Sequence, residues 1–191
     1  MQPTVETEYK YLISEERFME LLEKCNKRYS FSERKIQVNY YYDADSHALN
    51  KSNTTVRIRQ QHNKMKLQVK HHRAVKDSMA LSDEHGRDVD KLPLAMRISE
   101  VNDTISLKGV LVTERTIYSF GENSTVCFDV NMYLGVCDYE IEVEFGENDN
   151  KEALSVIAYL GLEYRPVMNK SARFFERLEA INHGQSLTSL H

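Results

Sequence analysis

The sequence predicts an α+β fold: a closed eight-stranded antiparallel β-barrel, a tunnel with a charged interior and helices packed on the outside. Three observations lead there. Period-two alternation recurs in segment after segment. The polar face of each alternating segment carries full charges, largely of one sign per strand. Only three segments show clear helical spacing.

The elements follow in order. In residues 5–13, VETEYKYLI, Glu6, Glu8 and Lys10 alternate with Val5, Thr7, Tyr9 and Tyr11. Residues 14–28 read as a helix, with Ser14 as N-cap, Glu15 and Glu16 in the first turn, and Phe18, Leu21, Leu22 and Cys25 on one face. KIQVNYYYD sets Ile36, Val38, Tyr40 and Tyr42 against Gln37, Asn39, Tyr41 and Asp43. TVRIRQ opposes Val56 and Ile58 to Arg57 and Arg59, and KMKLQVKH opposes Met65, Leu67 and Val69 to Lys66, Gln68 and Lys70. The stretch 87–98 is read as a short helix interrupted by Pro93. Residues 105–120 read as strand with a mixed parity, Arg115 sharing a face with Leu111, Thr113 and Ile117. TVCFDVNM sets Asp129 opposite Val126, Phe128, Val130 and Met132, and DYEIEVEF sets Asp138, Glu140, Glu142 and Glu144 opposite Tyr139, Ile141, Val143 and Phe145. Helices at 149–160 and 170–181 complete the series, the first stopped by Gly161.

Bulk properties narrow the class. At 191 residues, 41% hydrophobic and 28% charged, the chain is expected to form one domain over 1–181, with 182–191 as a flexible tail. A net charge of −4 provides no global basic field, so nucleic acid is not an expected partner. No apolar run reaches membrane-spanning length and no signal core opens the chain, so a cytoplasmic protein without a membrane partner is expected. Cys25, Cys127 and Cys137 lack metal or redox spacing and are read as reduced packing thiols. Tyr40, Tyr41 and Tyr42 are read as packing residues; His47, His62, His71, His72, His85 and His183 are read as ordinary surface or loop histidines. A homodimer is expected on general frequency alone.

The charge pattern carries the chemistry. Like charges at i and i+2 on one strand face repel unless opposite charge lies among them. Closing the sheet with its charged face inward supplies that opposite charge across the tunnel and removes edge strands. Carboxylates suit hard divalent cations, and arginine and lysine suit phosphate oxygens. The interior therefore predicts a ligand with several linked phosphates.

The same residues resemble the CYTH domain, the triphosphate tunnel metalloenzyme superfamily, over residues 4 to 177. The ExExK signature appears as Glu6, Glu8 and Lys10. In family order follow YYYD with Asp43, RIR with Arg57 and Arg59, KMKLQVK with Lys66 and Lys70, ER with Arg115, FDV with Asp129, YEIEVE with Glu140 and Glu142, and NKSAR with Lys170 and Arg173. The resemblance implies that Glu6, Glu8, Asp129, Glu140 and Glu142 hold Mg²⁺ or Mn²⁺. It implies that Lys10, Arg57, Arg59, Lys66, Lys70, Arg115, Lys170 and Arg173 bind phosphate, with Lys10, Glu6 and Glu8 in the catalytic set. Glu144 extends the acidic row, and Ser82, Glu84 and Arg87 are the candidates in segment 79–90. The implied activity is metal-dependent hydrolysis of a triphosphate-bearing small molecule, inorganic or nucleoside. The short spacing looks like the small bacterial, adenylate cyclase-like members, so formation of cyclic AMP from ATP is the first alternative. Non-catalytic triphosphate or polyphosphate binding is the second.

Overall fold

The computed structural model describes residues 4–73, 79–99, 101–121, 124–146 and 150–184. Along these run β1 Thr4–Ile13, α1 Glu15–Asn26, β2 Ser30–Asp43, α2 Ala48–Lys51, β3 Thr54–Gln61, β4 Lys64–His72, β5 Ala80–Val89, β6 Ala95–Ile98, β7 Val101–Ser119, β8 Thr125–Tyr133, β9 Val136–Glu144, α3 Asn150–Leu160 and α4 Lys170–Asn182. The strand order is β2-β3-β4-β5-β1-β9-β8-β7-β6, and β2 also pairs with β7. The first eight in that order thus close into an antiparallel barrel, and β6 hangs outside it on β7. The tail expected to be flexible lies, from residue 185, outside the described residues.

The register keeps the charged face continuous around the ring. Lys10 lies opposite Glu142, Asp129 opposite Arg115, Arg115 opposite Lys35, Asn39 opposite Arg59, Arg59 opposite Lys66 and Lys70 opposite Glu84. Neighbouring strands therefore turn the same parity inward, as the alternation requires.

Two apolar layers cover the outer face. Helices α1 and α3 pack Phe18, Leu21, Cys25, Ala153, Val156 and Leu160 on Tyr9, Tyr11, Phe128, Ile141 and Val143. Ser14 caps α1 by accepting from the Arg17 amide at 3.3 Å. On the opposite side no long helix is used. Ile98 of β6 and Ile105 of β7 pack on Tyr42, Val56, Ile58, Leu67 and Val69. The helix expected over 87–98 is not formed: β5 continues to Val89 and β6 begins at Ala95. Met96 and Ile98 reach that core as an extended segment, and the Pro93 carbonyl accepts from the Tyr42 hydroxyl at 2.7 Å.

The mixed parity of 105–120 comes from a bulge. Tyr41 pairs with Gly109 but Tyr42 pairs with Leu107, leaving Lys108 as the extra residue. Ile105 and Leu107 consequently face outward, whereas Leu111, Thr113 and Arg115, also odd-numbered, face inward.

Helix α4 differs from α1 and α3. Its Phe174 and Phe175 pack on the inward-facing Tyr41, Leu111 and Tyr133, drawn from β2, β7 and β8. Ser171 hydrogen-bonds Thr55 of β3 at 2.6 Å, and Arg173 bonds Asp138 and Glu140 of β9. The helix therefore lies across one end of the barrel and closes it. Gly109 allows this approach, since a Cβ there would sit 2.7 Å from the Phe174 ring.

Candidate active site

Around the closed ring β3 stands four positions from β9, and β4 four positions from β8. The strands bearing Arg57, Arg59, Lys66 and Lys70 thus face those bearing Asp129, Glu140, Glu142 and Glu144. The interior has an acidic wall (β1, β9, β8) and a basic wall (β3, β4) directly opposed. Most of these groups are out of water: Glu8, Arg57, Lys70, Arg115, Asp129, Glu140, Glu142 and Arg173 are all buried.

On the acidic wall, oxygens of Asp129, Glu140 and Glu142 lie within 4.8 Å of one another, and so do those of Glu8, Glu142 and Glu144. Glu142 belongs to both clusters. Lysine and arginine heads neutralise them. Lys170 Nζ is 2.6 Å from Asp129, 2.8 Å from Glu140 and 2.7 Å from Glu142. Arg115 donates from Nε and Nη2 to the two oxygens of Asp129 at 2.7 and 2.6 Å, bonds Glu142, and reaches Glu144 at 2.8 Å. Lys10 lies 3.0 Å from Glu8 and 3.5 Å from Glu142. Glu140 keeps one buried oxygen, Oε1, with no hydrogen-bond partner.

These contacts set the ionisation. Burial alone would raise the Glu142 carboxyl, but Lys170, Arg115 and Lys10 hold it well below the carboxylate range. The same opposition leaves Glu140 at about 2, with Lys170 and Arg173 outweighing burial. Burial, reinforced by Glu142, Glu8 and Glu6, lifts Glu144 despite Arg115. Glu6, nearer the surface, is lowered because Lys70 and Arg57 overcome its burial.

The basic wall is paired less completely. Lys70 bonds Glu6 and lies 3.6 Å from Glu8. Arg57 donates to Gln68 Oε1 at 3.0 Å, and Gln68 in turn bonds Glu84. Arg59 donates to Asn39 Oδ1 at 2.8 Å, and among the described residues none of its ion pairs is with a carboxylate. Burial and the neighbouring Arg57 and Arg115 bring its guanidinium down to about 9. Lys66 has the inward parity but is exposed, toward the end of the barrel away from α4.

The structure places the predicted metal and phosphate ligands on one parity of the strands, facing the barrel interior, or on α4 at its closed end. It divides them differently in two places. Arg173 is committed to Asp138 and Glu140 and to the Met168 carbonyl, which anchors α4. Asp43 accepts from the amides of Ala44, Leu49 and Asn50, holding the turn into α2. In segment 79–90, Glu84 and Ser82 face inward with Lys70 and Glu6, whereas Arg87, opposite Leu67, faces outward. Sequence reasoning missed Asn39, Gln68, Thr113 and Asn131 as buried inner-wall residues. Their parity was the available signal, and their neutral side chains hid it.

His72 also corrects the expectation of a loop histidine. It ends β4, and its Nε2 lies 2.9 Å from Thr55 Oγ1. Burial together with Lys70, Lys10 and Arg57 pushes it down to about 3, so it is neutral at physiological pH. Of the thiols, Cys25 and Cys127 are buried, Cys137 is exposed, and all three are free. No helix among the described residues is long and apolar enough to cross a membrane.

A closed antiparallel barrel with opposed charged walls and one helix-closed end defines a tunnel-type fold. The CYTH domain matches residues 4–174, and the chain belongs to that family. A Bacillus subtilis (strain 168) protein that carries a provisional triphosphatase name, YjbK, is 27% identical over 193 residues, covering 92% of this chain and 97% of its own. A Bacillus halodurans structure named provisionally as an adenylate cyclase is 25% identical, covers 92% of this chain and all of its own, and superposes with a TM-score of 0.72. HpAC1 from Hippeastrum, named provisionally as an adenylyl cyclase and described as revealing a dominant triphosphatase activity, shares the fold at a TM-score of 0.68 and 18% identity over 97% of this chain and 99% of its own.

Proposed function

We propose that this protein is a divalent-metal-dependent triphosphatase that hydrolyses inorganic or nucleoside triphosphate inside the barrel. The observation that carries the reading is the opposition of the two walls, with Arg59 on the basic side bonded to Asn39 and, among the described residues, in no salt bridge with a carboxylate. The donor set fits a hard cation: two clusters of carboxylates share Glu142, and Glu140 Oε1 is buried without a partner. Glu8, Asp129, Glu140, Glu142 and Glu144 would hold Mg²⁺ or Mn²⁺, with Glu6 at the margin. A divalent ion there supplies Lewis-acid neutralisation of phosphate charge.

The chain's own residues do the rest. Arg57, Arg59 and Lys70 bind phosphate oxygens from the wall opposite the acids, with Lys66 at the outer end. Arg115 and Lys170, paired with the acids, add charge that stabilises the departing diphosphate. Lys10, between Glu8 and Glu142, orients the attacking water or binds the terminal phosphate. Because α4 closes one end, any group attached to the triphosphate extends toward the end bearing Lys66. The name carried by the Bacillus subtilis relative agrees with this reading.

The test is product analysis. The protein is incubated with tripolyphosphate or ATP in Mg²⁺, Mn²⁺ or EDTA. Metal-dependent release of phosphate and diphosphate from tripolyphosphate is expected. Cyclic AMP with diphosphate from ATP would instead establish the cyclase, and metal-dependent binding without products would establish a sensor.

A further inference from the structure

Lys170 sits where a metal ion would sit. Its ammonium is within 2.8 Å of oxygens from Asp129, Glu140 and Glu142, the three carboxylates of the deeper cluster. An ammonium has three N–H donors; here it donates to Asp129 and Glu142 and stands 2.8 Å from Glu140 Oε2. Glu140 Oε1, on a residue with no exposed surface, has no hydrogen-bond partner among the described residues. A cation with more coordination positions would use that oxygen; lysine cannot.

Lys170 is also placed to withdraw. It is the first residue of α4, directly after the Asn169 cap, whose side chain accepts from the Ala172 amide at 2.8 Å. Arg173, one turn on, anchors the helix through Asp138, Glu140 and the Met168 carbonyl, contacts that do not pass through Lys170. The four-carbon stem can thus move its charge without releasing the helix.

We propose that Lys170 is an exchangeable counter-ion. With Arg115 and Arg173 it balances the charge of the deep acidic cluster in the metal-free protein, is displaced by the incoming divalent cation, and carries its charge to the phosphate chain. This rests on the metal-dependent reading above. Buried carboxylates left without a cation are strongly unfavourable, so the lysine stabilises the barrel before metal arrives. The same lysine then competes with the metal, and metal affinity without substrate is held down by its presence.

The experiment is Mn²⁺ titration of the substrate-free full chain by calorimetry, with free Mn²⁺ followed by electron paramagnetic resonance. Lys170→Met should bind Mn²⁺ at least about tenfold more tightly than the native protein. It should also melt lower in EDTA and recover more on Mn²⁺ addition. Lys170→Arg, which keeps the charge, should not gain affinity. Loss of a merely structural residue would weaken the metal site, so the sign of the change decides. Lys170→Gln provides a second neutral variant should Lys170→Met not fold, and the same inequality applies. Equal or weaker Mn²⁺ binding by the neutral variant overturns the counter-ion role while the metal reading stands. Absence of Mn²⁺ binding in every form, native included, overturns both.

Discussion

Replacing Arg59 by methionine separates ligand binding from stability. Its guanidinium donates to Asn39, its one side-chain hydrogen-bond partner among the described residues, and stands near two further cations, Arg57 and Arg115. Burial and those neighbours depress it to about 9, so it remains charged at neutral pH against an unfavourable field. A base with a lowered folded value is bound by its proton more weakly in the native state than in the unfolded one. Its charge therefore destabilises the fold below about pH 9, and the penalty fades as pH rises further. Discounted for partial exposure, that penalty is on the order of 2 kcal/mol. Arg59→Met removes it, retains the stem, and forfeits one hydrogen bond to Asn39 worth about 1 kcal/mol. The ligand-free melting temperature should stay level or rise. Loss of a charge-assisted phosphate contact of about 1.5–3 kcal/mol should weaken tripolyphosphate by about 10- to 100-fold in KM or Kd. Thermal melts without ligand and a phosphate-release assay measure the two effects. A variant that melts several degrees lower while keeping native KM would refute the assignment and make Arg59 a structural residue.

Other perturbations follow from the same geometry. Glu142→Gln removes the carboxylate shared by both acidic clusters, so metal-dependent activity should fall by more than about a hundredfold; native turnover in that variant would exclude a shared metal ligand. Glu6→Gln should also lose metal-dependent activity with the barrel still folded, and circular dichroism beside the activity assay checks both halves. Glu140 is held at about 2 against an ordinary 4.5, so its stabilisation is complete above about pH 4.5 and is lost as pH falls toward 2; the melting temperature of Glu140→Gln should fall less steeply than the native one across that window. Gly109→Ala places a Cβ 2.7 Å from Phe174 and should cost about 1–3 kcal/mol in urea denaturation, whereas an unchanged midpoint would mean that α4 shifts freely.

Where the pleat ran uninterrupted, the sequence was easy to read. In β1, β3, β4, β8 and β9, inner and outer residues alternate without exception, so charge and parity agree and the two walls could be assembled from the sequence. The reading blurred wherever one extra residue changed the count. Lys108 reverses the parity of β7, and nothing local in ISLKGVLV announces a bulge except Gly109. Residues 87–98 misled for a different reason. Met96 and Ile98 have the spacing of a strand, but the segment is too short to show it, and the core they enter is built by β2, β3 and β4, strands distant in sequence. Helix α4 was recognised as a helix, yet its place across the barrel end depends on Tyr41, Leu111 and Tyr133 being inside, a tertiary fact. Individual pairings of the charges were beyond reach for the same reason: Arg115 could be assigned to the interior, but not its simultaneous hold on Asp129, Glu142 and Glu144.

The position of β1 in the ring has a kinetic consequence. Of the barrel strands it is the first to be synthesised, yet its two neighbours are β5 and β9. The acidic wall joins the first strand of the barrel to the last, so no nascent fragment short of β9 contains the site. Until β5 emerges this strand waits with both backbone edges unpaired, and until β9 emerges with one, the state most exposed to association with other chains. Glu6, Glu8 and Lys10, spaced along one face, keep that waiting strand solvated and discourage edge-to-edge pairing. Barrel closure, with its long-range contacts, is then expected to be the slow event in folding, and the site appears all at once when it is complete.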